Sequence, residues 1–199
     1  MSCNNGITIY QGATFSQVWR WGASPLGYKN VSAVTALTPL TLTVTAHGVK
    51  DGWSVALTDL GGLDGLNADE WPPSDSDDFA QATVVDVNTL QFNTIDAARF
   101  GTYTTGGQIA YYAPVDLAGA TGVLNIYAYP QSVQAPPIVA AGTVVVDNTA
   151  KTITGTLTNV QTAALTGQQY IYYLVMTVSG VVTVVDSGII NSKAFGSNP

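Results

Sequence analysis

Cysteine and histidine are almost missing from this chain. Cys3 is the single cysteine and His47 the single histidine, so no intramolecular disulfide can form and no Cys/His spacing resembles a zinc site. A lone histidine also leaves no evident Ser/His/Asp arrangement for nucleophilic catalysis. Charge is scarce as well: 10% of the 199 residues are Asp, Glu, Lys or Arg, against roughly 25% in an average soluble domain. Six Lys and Arg against thirteen Asp and Glu leave a net charge of -7. That balance cannot supply a clustered basic surface, so a direct grip on nucleic acid is not expected. No apolar run approaches the roughly 18 residues of a membrane span. "MSCNNG" lacks the basic and apolar regions of a secretory leader. The chain is therefore expected to be soluble, made in the cytoplasm, and without a membrane partner. No glycine-rich phosphate loop joins a strand to a helix, and no cofactor or metal is expected.

What is present is β-strand material. Hydrophobic residues make up 46% of the chain, enough for a sizeable core. Segments such as "TLTVTA", "WSVALT", "ATVVDV", "GVLNIYAY", "IVAAGTVVVD", "TITGTLT", "YIYYLVMTV" and "VVTVVDSGII" are separated by Gly, Asn, Asp and Pro. Closely spaced strands without long amphipathic helices indicate sandwiches or small barrels. "NVQTAALTG", Asn159 to Gly167, is expected to form a short helical turn at a corner between strands. Near the N-terminus, period-two spacing places Phe15, Trp19 and Trp21 on one face of a strand. In "QQYIYYLVMTV", Tyr170, Tyr172, Leu174 and Met176 line one face and Ile171, Tyr173 and Val175 the other, so both faces read as apolar. An isolated antiparallel sheet normally leaves one face polar, so a cover is expected, either the inserted barrel or another subunit.

Composition shifts near residues 30 and 112. The stretch between contains more than half of the acidic residues, with seven carboxylates from Asp59 to Asp78 in a Gly-, Pro- and Ser-rich loop. The expected architecture is all-β: a discontinuous immunoglobulin-like β-sandwich of residues 1–30 plus 112–199, interrupted by a small β-barrel of residues 31–111. The insertion is expected to enter at the turn-like "GASPLGYKN", Gly22 to Asn30, since exposed loop tips tolerate insertions.

Two sets of motifs carry resemblances. "ITIYQGATF", "PVDLAGATGVLNIY", "TITGTLTNVQTAALTGQQYIYYLVMT" and "VVTVVDSGII" follow one another in the outer segments. In order and spacing they resemble bacteriophage virion β-sandwiches, including the N-terminal domains of baseplate upper proteins. "TAHGVKDGWSVAL", "GGLDGLNA", "VVDVNTLQF" and "YTTGGQIAY" in the insertion resemble the first-catalytic-cysteine-half-domain-like β-barrel found in many phage tail proteins. That barrel's name implies no chemistry here, because Cys3 lies outside the insertion and no nucleotide loop is present. The resemblance implies a non-enzymatic virion structural protein of the tail or head-to-tail junction, synthesised in the host bacterial cytoplasm. It implies an adaptor in a symmetric homo-oligomer whose partners are other virion proteins, such as a tail hub, portal-proximal or fibre proteins. The alternatives are a capsid decoration or head-fibre attachment protein, and a carbohydrate-binding host-recognition module.

The residues expected to contact partners are Trp71, Tyr170, Tyr172 and Tyr173. Trp53, Trp71, Tyr103, Tyr111 and Tyr112 together could form the sugar-stacking platform of the carbohydrate-binding alternative. Asp69, Glu70, Asp75, Asp77 and Asp78 could hold Ca²⁺, yet "DEWPPSDSDD" lacks the turn glycine and distal Glu of an EF-hand loop. A solvated loop is the expectation. His47 is expected to be a turn residue bonding the backbone at a strand end.

Overall fold

The computed structural model describes residues 6–129, 138–167 and 169–194, so Cys3 lies outside the described residues. The described chain is all-β, and it divides into two compact units: Met1–Trp21 with Asp116–Pro199, and Gly22–Val115.

The first unit is an immunoglobulin-like sandwich. Its strands are β1 (Ile7–Tyr10) and β2 (Phe15–Trp19), then β10 (Thr121–Ala128), β11 (Ile138–Asp147), β12 (Thr152–Leu157), β13 (Gln169–Val178) and β14 (Val181–Lys193). They lie in the order β1-β14-β13-β10-β11-β12-β2. β11 belongs to both layers, because residues 138–142 pair with β10 and residues 143–147 with β12. The N-terminal aromatic stretch also splits. β1 pairs parallel with β14, the chain turns at Gly12 with φ 75°, and β2 pairs antiparallel with β12. The five-residue helix α1 of the corner, Asn159–Ala163, begins with a capping box: the Thr158 side chain accepts from the Gln161 N–H and Gln161 reaches back to the Thr158 N–H. Just beyond it the Gly167 N–H donates to the Tyr170 hydroxyl at 2.6 Å, the corner tyrosine of immunoglobulin-like sandwiches.

Trp19 from β2 meets Tyr172 from β13 with ring centroids 6.2 Å apart. Its indole N–H donates to Asp186 Oδ2 at 2.6 Å, and the Tyr172 hydroxyl donates to the same oxygen at 2.8 Å. Both rings need space, and glycines provide it: a Cβ at Gly155 would come within 2.7 Å of the Trp19 ring, and one at Gly188 within 3.0 Å of Tyr172. Trp19 is therefore committed to a core that includes a buried carboxylate, whereas Phe15 is half-buried on β2 and Trp21, also half-buried, lies beyond the end of that strand.

The second unit is a nearly closed barrel. Its strands are β3 (Gly22–Asn30), β4 (Ala33–Leu37), β5 (Leu40–Thr43), β6 (Trp53–Thr58), β7 (Phe79–Asp86), β8 (Thr89–Phe92) and β9 (Gln108–Pro114). Their order is β3-β9-β6-β7-β8-β5-β4. Only Val31 and Ser32 separate β3 from β4. Val31 N–H bonds Gly107 beside β9 while Ser32 N–H bonds Thr43 of β5, so one continuous stretch borders both ends of the order. Leu40, Leu42, Val55, Leu57, Leu90, Phe92 and Ile109 fill the interior.

Two sequence expectations need correction. "GASPLGYKN" is strand β3. Gly and Pro make it look like a turn, but it is a terminal strand of the order, and a register shift between Ala23 and Leu26 accommodates Ser24 and Pro25. The junctions consequently fall at Trp21/Gly22 and Val115/Asp116, outside the expected residues 30/31 and 111/112. Gly22 pairs with Pro114, so the barrel's entry and exit are neighbours.

His47 occupies the position expected of it. It is buried, its Nδ1 accepts from the Val49 N–H at 3.0 Å, and its Nε2 lies 2.9 Å from the Asp86 carbonyl. The acceptor role of Nδ1 leaves the proton on Nε2. Nearby turns are held by exposed carboxylates. The Asn88 N–H, then the Thr89 hydroxyl, holds Asp86 below the usual carboxylate range; the Thr38 hydroxyl, then the Ala98 N–H, does the same for Asp96. A depressed folded pKa stabilises the fold above the ordinary carboxylate range, and that contribution is lost as pH falls through the lowered value. Acid titration of Thr38→Val should accordingly show a weaker dependence of barrel stability on pH below about 4 than the parent chain.

Candidate partner surfaces

The outer face of the sandwich is built by register. Val123, Val175 and Val184 lie directly opposite one another across β10, β13 and β14, as do Tyr127, Ile171 and Ile189. Between these rows lie Asn125, Tyr173 and Ser187, with Tyr173 edge-on to Tyr127 at 5.8 Å. Val184 and Val123 are 55% and 49% exposed. No Asp, Glu, Lys or Arg lies on this face of β10, β13 or β14 between Val182 and Asn191. Three strands over this length cover roughly 14 Å by 27 Å, on the order of 400 Å². An uncharged face of this size, apolar but for Asn125 and Ser187 in its middle row, is within the range that marks interaction sites on monomers.

Alternation sorts the predicted tyrosines. Tyr173 is half-buried on this outer face. Tyr170 and Tyr172 are corrected: they point inward, are 5% and 1% exposed, and spend their hydroxyls on Gly167 and Asp186. They are core residues and cannot meet a partner while the sandwich is folded.

The barrel has a different surface. Tyr28, Ala110, Ala56 and Phe79 form a row across β3, β9, β6 and β7 on the outward side. Tyr112 stacks on Phe79 at 6.2 Å, and Trp71 leans on Tyr28 at 4.9 Å. Both alanines are fully buried although they face outward, and Pro73 of the acidic loop is buried too. Trp71 remains 60% exposed. The expected five-residue sugar platform does not exist as a unit: Trp53 and Tyr111 are interior, bonding the Tyr112 and His47 carbonyls. Tyr28, the partner of Trp71, was hidden in a segment that reads as a turn.

Charge separates the two units. Ten of the thirteen Asp and Glu lie between Asp51 and Asp96, a stretch with no Lys or Arg. The sandwich segments carry Arg20, Lys151 and Lys193 against Asp116, Asp147 and Asp186, a balance of zero. Asp116 is held below the usual carboxylate range by the Lys151 ammonium at 3.0 Å. Among the described residues no three His, Cys, Asp or Glu are placed to hold a metal ion, and no helix is long and apolar enough to cross a membrane.

No protein-family model matches the chain, and no curated protein sequence matches it.

Proposed function

We propose that this chain is a non-enzymatic bacteriophage virion structural protein of the tail or head-to-tail junction, an adaptor subunit repeated in a symmetric assembly. The observation that carries the reading is the uncharged apolar face of β10, β13 and β14 on a unit with no net charge. Copies meeting there bring no like charges together, whereas the acidic barrel repels its own copies. The motif resemblance of the outer segments supplies the virion context.

A patch of this size is smaller than the roughly 800 Å² per partner of a stable complex. The pairwise contact is therefore weak, and repetition in a ring supplies the avidity. Sedimentation of the isolated chain should show a weight-average mass that rises with concentration into the high micromolar range. Val123→Lys with Val184→Lys should abolish that rise while leaving melting unchanged within about 0.5 kcal/mol, since both positions are exposed. Assembly of the double variant into particles at the parental copy number would refute the proposed role of this face.

A further inference from the structure

We infer that an apolar groove in the barrel receives a cationic side chain, lysine or arginine, from a partner protein. This deepens the adaptor reading, and rests on it only in placing that side chain on another protein. The groove encloses about 340 Å³. Half-buried Leu66, Ala80 and Ile95 form its accessible floor, above the fully buried Val55 and Leu57, and Asp69, Asp77 and Asp78 stand along it.

Charge complementarity and apolar lining select the occupant together. An apolar residue would fill the floor but strip water from Asp69, Asp77 and Asp78, which form no salt bridge among the described residues. A hydrated cation would leave the floor unfilled. A lysine or arginine satisfies both, laying its methylene stem on the floor and presenting its N–H donors to the carboxylates. Asp78 carries an unsatisfied oxygen beside the groove. Its Oδ1 accepts from the Asp69 N–H at 3.1 Å, while its Oδ2 is shielded from solvent and accepts no hydrogen bond.

The test titrates the full-length protein with N-acetyl-lysine amide and, separately, with N-acetyl-norleucine amide, following backbone amide shifts by NMR. Saturable shifts should concentrate at Asp69, Asp77, Asp78 and Ala80. Lysine amide should bind roughly ten-fold or more tighter than norleucine amide, the scale of a charge-assisted hydrogen bond. Asp69→Asn with Asp77→Asn, both exposed positions, should remove that preference without altering the fold. Equal binding of norleucine amide would overturn the inference. So would shifts spread without saturation over all acidic residues, or saturable shifts at the groove with N-acetylglucosamine and none with lysine amide. These readouts do not respond to sandwich self-association, so failure here and failure of the adaptor reading are separable.

Discussion

Replacing Asp186 with alanine is expected to destabilise the sandwich by about 3–5 kcal/mol. The substitution removes the acceptor of two short hydrogen bonds, from the Trp19 indole and the Tyr172 hydroxyl, and strands both donors in a core they cannot leave. Hydrogen bonds to a charged group contribute about 1.5–3 kcal/mol each. Asp186→Asn keeps one carbonyl oxygen and should cost only about 1–2 kcal/mol. Denaturant unfolding followed by near-ultraviolet circular dichroism reads the sandwich through Trp19. A loss below about 1 kcal/mol for the alanine variant would show that the carboxylate does not organise the core.

Excising Gly22–Val115 and joining Trp21 to Asp116 through a short Gly/Ser bridge should leave a cooperatively melting, strand-rich sandwich. Gly22 and Pro114 are paired, which sets the gap at about 5 Å. Closure entropy varies only logarithmically with loop length, roughly 0.6 kcal/mol per doubling. The large effect should be on solubility, because the excised barrel carries the whole of the net negative charge. The remaining unit keeps the uncharged face without that protection. A disordered spectrum with no cooperative transition would mean that the two units cannot fold apart.

Much of this fold was legible because alternation is a local signal. "WSVALT" and "IVAAGTVVVD" coincide with β6 and β11, and the two faces of β13 follow from counting by twos. Which face becomes interior is a tertiary fact. Tyr170 and Tyr173 look alike in sequence, and only the tertiary packing on the Tyr170/Tyr172 face of β13, where Trp19 meets Tyr172 and Gly167 meets Tyr170, decides that one is core and the other surface. β3 was missed because its stability comes from pairing with β9, more than 70 residues away, and overrides its Gly and Pro content. Asp186 carried a readable signal, an acidic residue in a valine-rich strand at a position facing Leu174. Its partners did not. The row of Tyr28, Ala110, Ala56 and Phe79 depends on four strands coming into register, which no short window of sequence reports.

The parallel pairing of β1 with β14 has a mechanical consequence. Ile7 to Tyr10 run alongside Ile190 to Lys193 in the same direction, so the chain enters this pair at one end and leaves it at the other. A pull drawing those two ends apart along the strands slides β1 against β14 and loads all four rungs at once. An antiparallel closure pulled at its open end would instead peel one rung at a time. Under such a pull the β1–β14 pair would resist as a shear clamp.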